Sequence, residues 1–329
     1  MLLGTKEFEP VRSCIAVLVP RDTEIDIGDC SCDLIYRYKD YLCRLMRSDL
    51  QTMEYSSESE VRHPGRLVSN MFRSLWTSRS LAMSLLRRDL SATYRQSFLG
   101  FAWAFIPSLL TAITFSLASR NKVLNISQTD IPYVAYVMFG VVLWQTFSES
   151  VLGPVTGLSA ARSFITKIRF PHEALFLAKI GESIFNFAIK CVLIAGIFIY
   201  FGIVPSMGIF AALLVIFLMM IGGLSIGLLI APFSIIYQDF AKGLPLILGL
   251  SMFATPVVYP MPLTDSLAAR VIKANPMSYL IGAIRDLTIH GSTGYSMQLF
   301  WIATGTLILF FISWLVFRLS MPYVIERCG

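Results

Sequence analysis

Apolar runs broken by short polar segments fill the chain from Phe98 to Leu319. A helix needs about 20 predominantly apolar residues to cross the hydrocarbon core of a bilayer. Six stretches qualify: Phe98–Ala118, Ile131–Gly153, Phe176–Phe201, Met207–Ala231, Leu244–Tyr259 and Met297–Leu319. The fifth is short, and Pro256 and Pro260 interrupt its end. The pattern predicts an all-α polytopic membrane protein whose permeable-barrier domain, residues 98–329, holds six transmembrane helices.

Between the last two stretches, Met261 to His290 is neither a clean span nor a polar loop. Leu263, Leu267, Val271 and Ile272 precede a break at Asn275-Pro276, and Tyr279, Leu280, Ile281 and Ile284 follow it. Two short amphipathic helices dipping back toward the bilayer fit this pattern. Irregular backbone at that depth is tolerated only against protein or a water-filled cavity, so residues 261–290 are expected at a pore mouth.

Ahead of the first stretch, Met71 to Tyr94 lacks Pro and Gly and can form one helix. Met71, Phe72, Leu75, Ala82, Leu86 and Leu90 fall on one side at helical pitch, with Arg73, Arg87, Arg88 and Arg95 opposite. Arg79 and Asp89 break the pattern. Residues 66–97 therefore read as an amphipathic helix in the cytoplasmic leaflet, its cations toward lipid phosphates or a partner; a plain basic anchor is the alternative. Residues 1–65 are polar and acidic, without sustained periodicity, and His63-Pro64-Gly65 reads as a linker. A disordered cytoplasmic extension is expected there, with a small independent domain, or a start at Met53 or Met71, as alternatives.

Composition excludes an ordinary soluble protein. The 329 residues are 55% hydrophobic and only 15% charged, against about 25% charged in soluble domains. Residues 1–60 carry seven Lys/Arg and twelve Asp/Glu, so the excess of basic residues belongs to the membrane part. With the segment before the first span inside, thirteen Lys/Arg flank the spans on the cytoplasmic side and five lie outside: Arg120, Lys122, Arg270, Lys273 and Arg285. That asymmetry predicts both termini in the cytoplasm of a multi-pass protein of the bacterial inner membrane. The basic residues flank apolar spans and line no polar face, so nucleic acid is not an expected partner. Cys30 and Cys32 have no matching second pair, which favours reduced thiols over zinc; no metal site is expected. No secretory leader is evident, because the apolar run from Cys14 to Val19 is too short.

The most specific run in the chain is Arg88-Asp89-Leu90, then Tyr94-Arg95-Gln96-Ser97-Phe98-Leu99-Gly100, then Trp103 and Pro107. It resembles the segment leading into the first span of ABC transporter type-2 permeases that export O-antigens, capsules and teichoic acids. Ile168-Arg169-Phe170-Pro171-His172-Glu173 is similar to that family's Phe-Pro-Arg-Glu lead-in to the third span, with His172 where Arg is usual. Thr255-Pro256 to Tyr259-Pro260, followed by Asn275-Pro276, looks like its extracytoplasmic gate. The resemblance covers roughly residues 65–325. It implies a homodimer of six-helix subunits, each bound to a cytoplasmic ABC ATPase that holds ATP and Mg. It also implies that Pro256, Pro260, Asn275 and Pro276 shape the gate. No Lys in the chain follows a Gly, so the chain has no Walker A loop to hold nucleotide phosphates. No cofactor on this chain and no catalysis by it are expected.

A separate ATPase needs a lever. Leu158 to Phe170 supplies one, with Ser159 as a cap, charged Arg162, Lys167 and Arg169, and apolar Phe164, Ile165 and Ile168. In the resembled family this position is the coupling helix; a plain positive-inside loop would explain the charges but not Phe164 and Ile165. The loop Ser234–Lys242 is a weaker second contact. In the third span Lys179, Glu182, Ser183, Asn186 and Lys190 share one helical face. A mid-span lysine costs roughly 2.5–3.5 kcal/mol on insertion scales and seldom faces lipid. The face either borders the export path or ties helices together. Trp103, Trp144 and Tyr259 could stack on sugar or could belong to an interfacial belt. Arg88 and Arg95 are candidates for a lipid pyrophosphate, since guanidinium groups bind phosphate oxygens bidentately. The function expected is export of a lipid-linked polysaccharide. A drug or small-lipid ABC exporter, an ion-coupled transporter and a membrane-embedded transferase are the alternatives; the last finds no clustered carboxylates, His or nucleophile–base pair.

Overall fold

The computed structural model describes residues 64–95, 105–120, 130–165, 173–261 and 266–328. Helices account for their regular structure, and no strand occurs among the described residues. The order is α1 (Pro64–Arg95), α2 (Ile106–Arg120), α3 (Tyr133–Ile165), α4 (Glu173–Phe201), α5 (Ile209–Ile236), α6 (Gln238–Ser251), α7 (Leu267–Ala274), α8 (Pro276–Ile289) and α9 (Ser296–Cys328).

Four helices are long and apolar enough to cross a membrane: Tyr133–Arg162, Glu173–Phe201, Ile209–Ile236 and Ser296–Val324. At 1.5 Å per residue each exceeds the roughly 30 Å of a bilayer core. They match the second, third, fourth and sixth expected spans. The other two expected spans are not full-length helices. Residues 98–104 of the first lie outside the description, and the helix there, Ile106–Arg120, has 15 residues. The fifth stops after 14 residues at Ser251. Pro256 has no N–H to donate, and its ring disfavours a helical turn at the Met252 carbonyl, which weakens any continuation of the helix; turns replace it from Met252 to Val257.

Small residues set the closest approach, α5 on α3. A side chain at Gly223 would press on the Phe147 carbonyl and Ser150, and one at Gly227 would strike Val151 O and the Pro154 ring. Helix α9 packs along α5, α4 against α3, and α1 against α4. Trp314 of α9 is fully buried between Phe176 and Phe310. Helix α4 ends in a Schellman motif: Gly202 is left-handed, its N–H donates to Ile199 O, and Ile203 N–H donates to Phe198 O. At the start of α4, Glu173 is buried and accepts from Arg318 of α9 at 3.3 Å.

Both short helices expected in 261–290 are present, with different environments. Helix α7 keeps Leu267 and Val271 exposed. Helix α8 is instead buried along one whole side, with Ile281 and Ile284 in the core against α5. Helix α1 takes in Pro64 and Gly65, which the sequence had suggested as linker; proline suits a first helical turn, where its missing N–H costs nothing.

Candidate functional site

The broken end of the fifth hydrophobic stretch has no helix to satisfy its carbonyls, and buried carbonyls need donors. Four consecutive ones find them on other elements. Arg285 of α8 donates to Pro256 O at 2.9 Å and Val257 O at 2.5 Å. Tyr133 and Tyr136, one turn apart at the start of α3, donate to Val258 O at 2.9 Å and Tyr259 O at 3.2 Å. Arg285 also donates to the Tyr136 hydroxyl at 2.7 Å, and its guanidinium carbon lies 3.8 Å from the centre of that ring. The arginine is only 5% exposed. Gly140 makes its place: a methyl group there would overlap the guanidinium and the Val257 carbonyl.

The segments Thr255–Pro260 and Asn275–Pro276 meet at this clamp. Asn275 donates to the Thr255 hydroxyl at 2.9 Å, and its side-chain oxygen caps α8 by accepting from Met277 N–H. Pro276 then occupies the first helical position. Beside the clamp lies a cavity of about 150 Å³, bounded by Pro256, Pro260, Arg285, Asp286, Asp130 and His290 among others. Burial pushes the Asp286 carboxyl up, the charge of His290 opposes it, and Asp130 adds to the rise, which prevails.

The polar face of α4 forms a second assembly. Lys190 is 2% exposed and pairs with Glu149 of α3 at 2.5 Å. Lys179 donates to Glu182 at 2.7 Å and to Asp89 of α1 at 3.0 Å. Arg88 bonds the other oxygen of Asp89 at 2.9 Å. Burial would raise the Asp89 carboxyl, but the bonds from Lys179 and Arg88 outweigh it and hold it below the usual range. A cavity of about 150 Å³ between α3 and α4 is lined by Glu149, Gly153, Thr156, Lys179, Glu182 and Asn186, with Leu152 and Ser183.

The sequence-derived candidates distribute as follows. Lys190 and Glu149 have the helix-tying geometry. Trp144 is buried in the core against Phe147, and Tyr259 donates to Phe253 O within its own turn. Pro256, Pro260, Asn275 and Pro276 come together around the clamp. Arg88 is exposed on α1, and Arg162 is exposed near the end of α3. Trp103, Lys167 and Arg169, and the side chains of Arg95, Phe164 and Ile165, lie outside the described residues, as do residues 1–63. Arg285, Tyr133 and Tyr136 were not singled out as gate residues. Their partners are backbone carbonyls, which leave no side-chain pattern; an arginine next to an apolar helical face was the available signal.

Long apolar helices tied internally by charges and carbonyl-bound arginine define a multi-pass helical membrane protein. The sequence profile of the "ABC-2 type transporter" family matches residues 80–289, and the chain belongs to that family. It is a membrane subunit of a transporter. Over 214 residues, 64% of this chain and 81% of the other, it is 29% identical to the O-antigen export system permease protein RfbA of Myxococcus xanthus.

Proposed function

We propose that this chain is the membrane-spanning half of an ATP-driven exporter that moves a lipid-linked polysaccharide of O-antigen, capsule or teichoic-acid type. The observation that carries the reading is its similarity to an O-antigen export permease across most of that protein's length. The lead-in motif from Arg88 to Pro107 and the missing Walker A loop support it. Two copies form the conduit in the bacterial inner membrane, with both termini in the cytoplasm. Each copy binds a separate ATPase subunit, which holds ATP and Mg. Nucleotide binding there pushes on Leu158–Phe170 through Arg162, Phe164, Ile165, Lys167 and Arg169. The motion reaches α1, where Arg88 and Arg95 meet the cargo's pyrophosphate, and Trp103 offers a stacking face near the membrane surface. The carbonyl clamp then holds the outer gate closed until the cargo arrives.

Deletion of the gene should remove long glycan from the cell surface while lipid-linked glycan accumulates inside, and the intact gene should restore export. An unchanged surface glycan profile in the deletion strain would sink the cargo assignment. Arg88→Ala combined with Arg95→Ala should reduce export with the protein still inserted; normal export would remove their role.

A further inference from the structure

We propose that Lys179 is a positioning residue, the joint through which movement of α3 reaches the interfacial helix α1. The inference rests on the exporter reading given above. Its side chain touches three helices at once. The stem leaves α4 and lies across the groove that Gly153 and Gly157 open on α3: a methyl group on Gly157 would stand 2.6 Å from Cε and 3.1 Å from Cγ, and one on Gly153 would stand 3.5 Å from Cβ. The ammonium then reaches Asp89 on α1 at 3.0 Å and Glu182 on α4 at 2.7 Å. One turn before Asp89, Leu86 seats on Gly181 of α4, where a side chain would meet its Cδ2 at 2.8 Å. Ser74, Ser78 and Ala82 continue the same buried edge of α1.

Helix α3 runs on toward Arg162, so a push at its cytoplasmic end shifts the groove that holds the lysine stem. An apolar side chain could fill that groove but could not grip α1. The Lys179 side chain is only 12% exposed, and its two carboxylate partners work against the cost of burying the charge. The adjoining cavity gives it room to move. Glu149 lines that cavity, and its Oε2 accepts no hydrogen bond among the described residues. When α1 parts from α4, the ammonium keeps Glu182 and can turn to a third carboxylate, Glu149, in place of Asp89. Two discrete arrangements of one buried group are what a mechanical joint requires.

The test compares the full chain with Lys179→Met, Asp89→Asn and Asp89→Glu, each purified in lipid nanodiscs with the ATPase subunit that accompanies it. Methionine keeps the stem in the groove and asparagine keeps the shape of Asp89, so packing is preserved while the ionic grip is lost. Backbone hydrogen exchange over Pro64–Arg95 is read with and without ATP and vanadate. The wild-type chain should show a nucleotide-dependent change in α1. In Lys179→Met and Asp89→Asn that change should fall by about tenfold, the effect of losing one hydrogen bond to a charged group; Asp89→Glu should keep it. A purely structural role would alter basal exchange and leave the nucleotide-dependent difference intact. An equal response in wild type, Lys179→Met and Asp89→Asn overturns the joint, as does failure of both variants to insert. If the deletion strain keeps an unchanged surface glycan profile while the α1 response follows the prediction, the cargo assignment fails alone. If no ATPase accompanies the wild-type chain, both readings fall.

Discussion

Replacing Arg285 with methionine takes four donated hydrogen bonds from the carbonyl clamp while keeping most of the side chain's length. A buried acceptor stripped of its donor costs about 1–3 kcal/mol. Pro256 O and Val257 O lie outside any helix, so their loss together amounts to about 2–6 kcal/mol. Opposing this, removing a guanidinium from a buried site returns its desolvation cost, and methionine refills part of the volume. The carbonyls and the Tyr136 ring already compensate the charge, so the acceptor loss should win. The net destabilisation expected is about 2–3 kcal/mol. At roughly 2–4 °C per kcal/mol, unfolding in detergent, followed by tryptophan fluorescence, should move down by about 4–12 °C. Tyr133→Phe removes one bond to Val258 O and should cost about 1 kcal/mol. Gly140→Ala should act on the same clamp, because its methyl group overlaps the guanidinium, and combine less than additively with Arg285→Met. If Arg285→Met unfolds at or above the wild-type temperature while Tyr133→Phe loses stability, the arginine is not what holds the gate backbone.

Three further outcomes follow from the ion pairs. Lys190→Met and Glu149→Gln should each lower the amount of inserted protein, and the double variant should recover most of the loss, because the pair is then removed with no charge left behind; normal export by a fully assembled Lys190→Met would also exclude that lysine from the conduit. Glu173→Gln and Arg318→Met should loosen the start of α4 from α9, which increased exchange at Glu173–Leu177 would report. Asp286 has a carboxyl raised above its unfolded range, so the folded state keeps a proton that the unfolded chain has lost, and stability rises as pH falls through the folded value. Asp286→Asn should therefore raise the unfolding temperature at about pH 7.5 and bring no gain in acid, where both side chains are neutral; a gain that persists in acid would contradict this.

What could be read from the chain follows from the range of the forces involved. Continuous apolar runs placed α4 and α5, because hydropathy is a local property and bilayer thickness fixes its length; α4 starts three residues before Phe176, and α5 runs five residues past Ala231 through Pro232. Pro256 marked the failure of the fifth run, but nothing local said which donors would serve its carbonyls. Arg285 lies 28 and 29 residues from those acceptors, and Tyr133 more than a hundred, so only the fold brings them together. Pro256, Asn275 and Pro276 were legible as breaks in the chain because they act on their own backbone. Gly153 and Gly157 acquire meaning only from the lysine that crosses them.

Asp89 is the sharper case. On a helix read as basic on one face and apolar on the other, a carboxylate near the apolar edge looks like noise. Its partner sits ninety residues on, on a span whose own lysine looked equally out of place. Each violates the local pattern; Arg88 and Glu182 offset part of the cost within their own helices, and the Lys179–Asp89 pair joins the two. For an interfacial helix beside a membrane span, two such misplaced and opposite charges are therefore a contact prediction. Helix α1 is oriented by the residue that spoils its amphipathicity: Asp89 fixes which edge meets α4, and the arginines take the remaining surface.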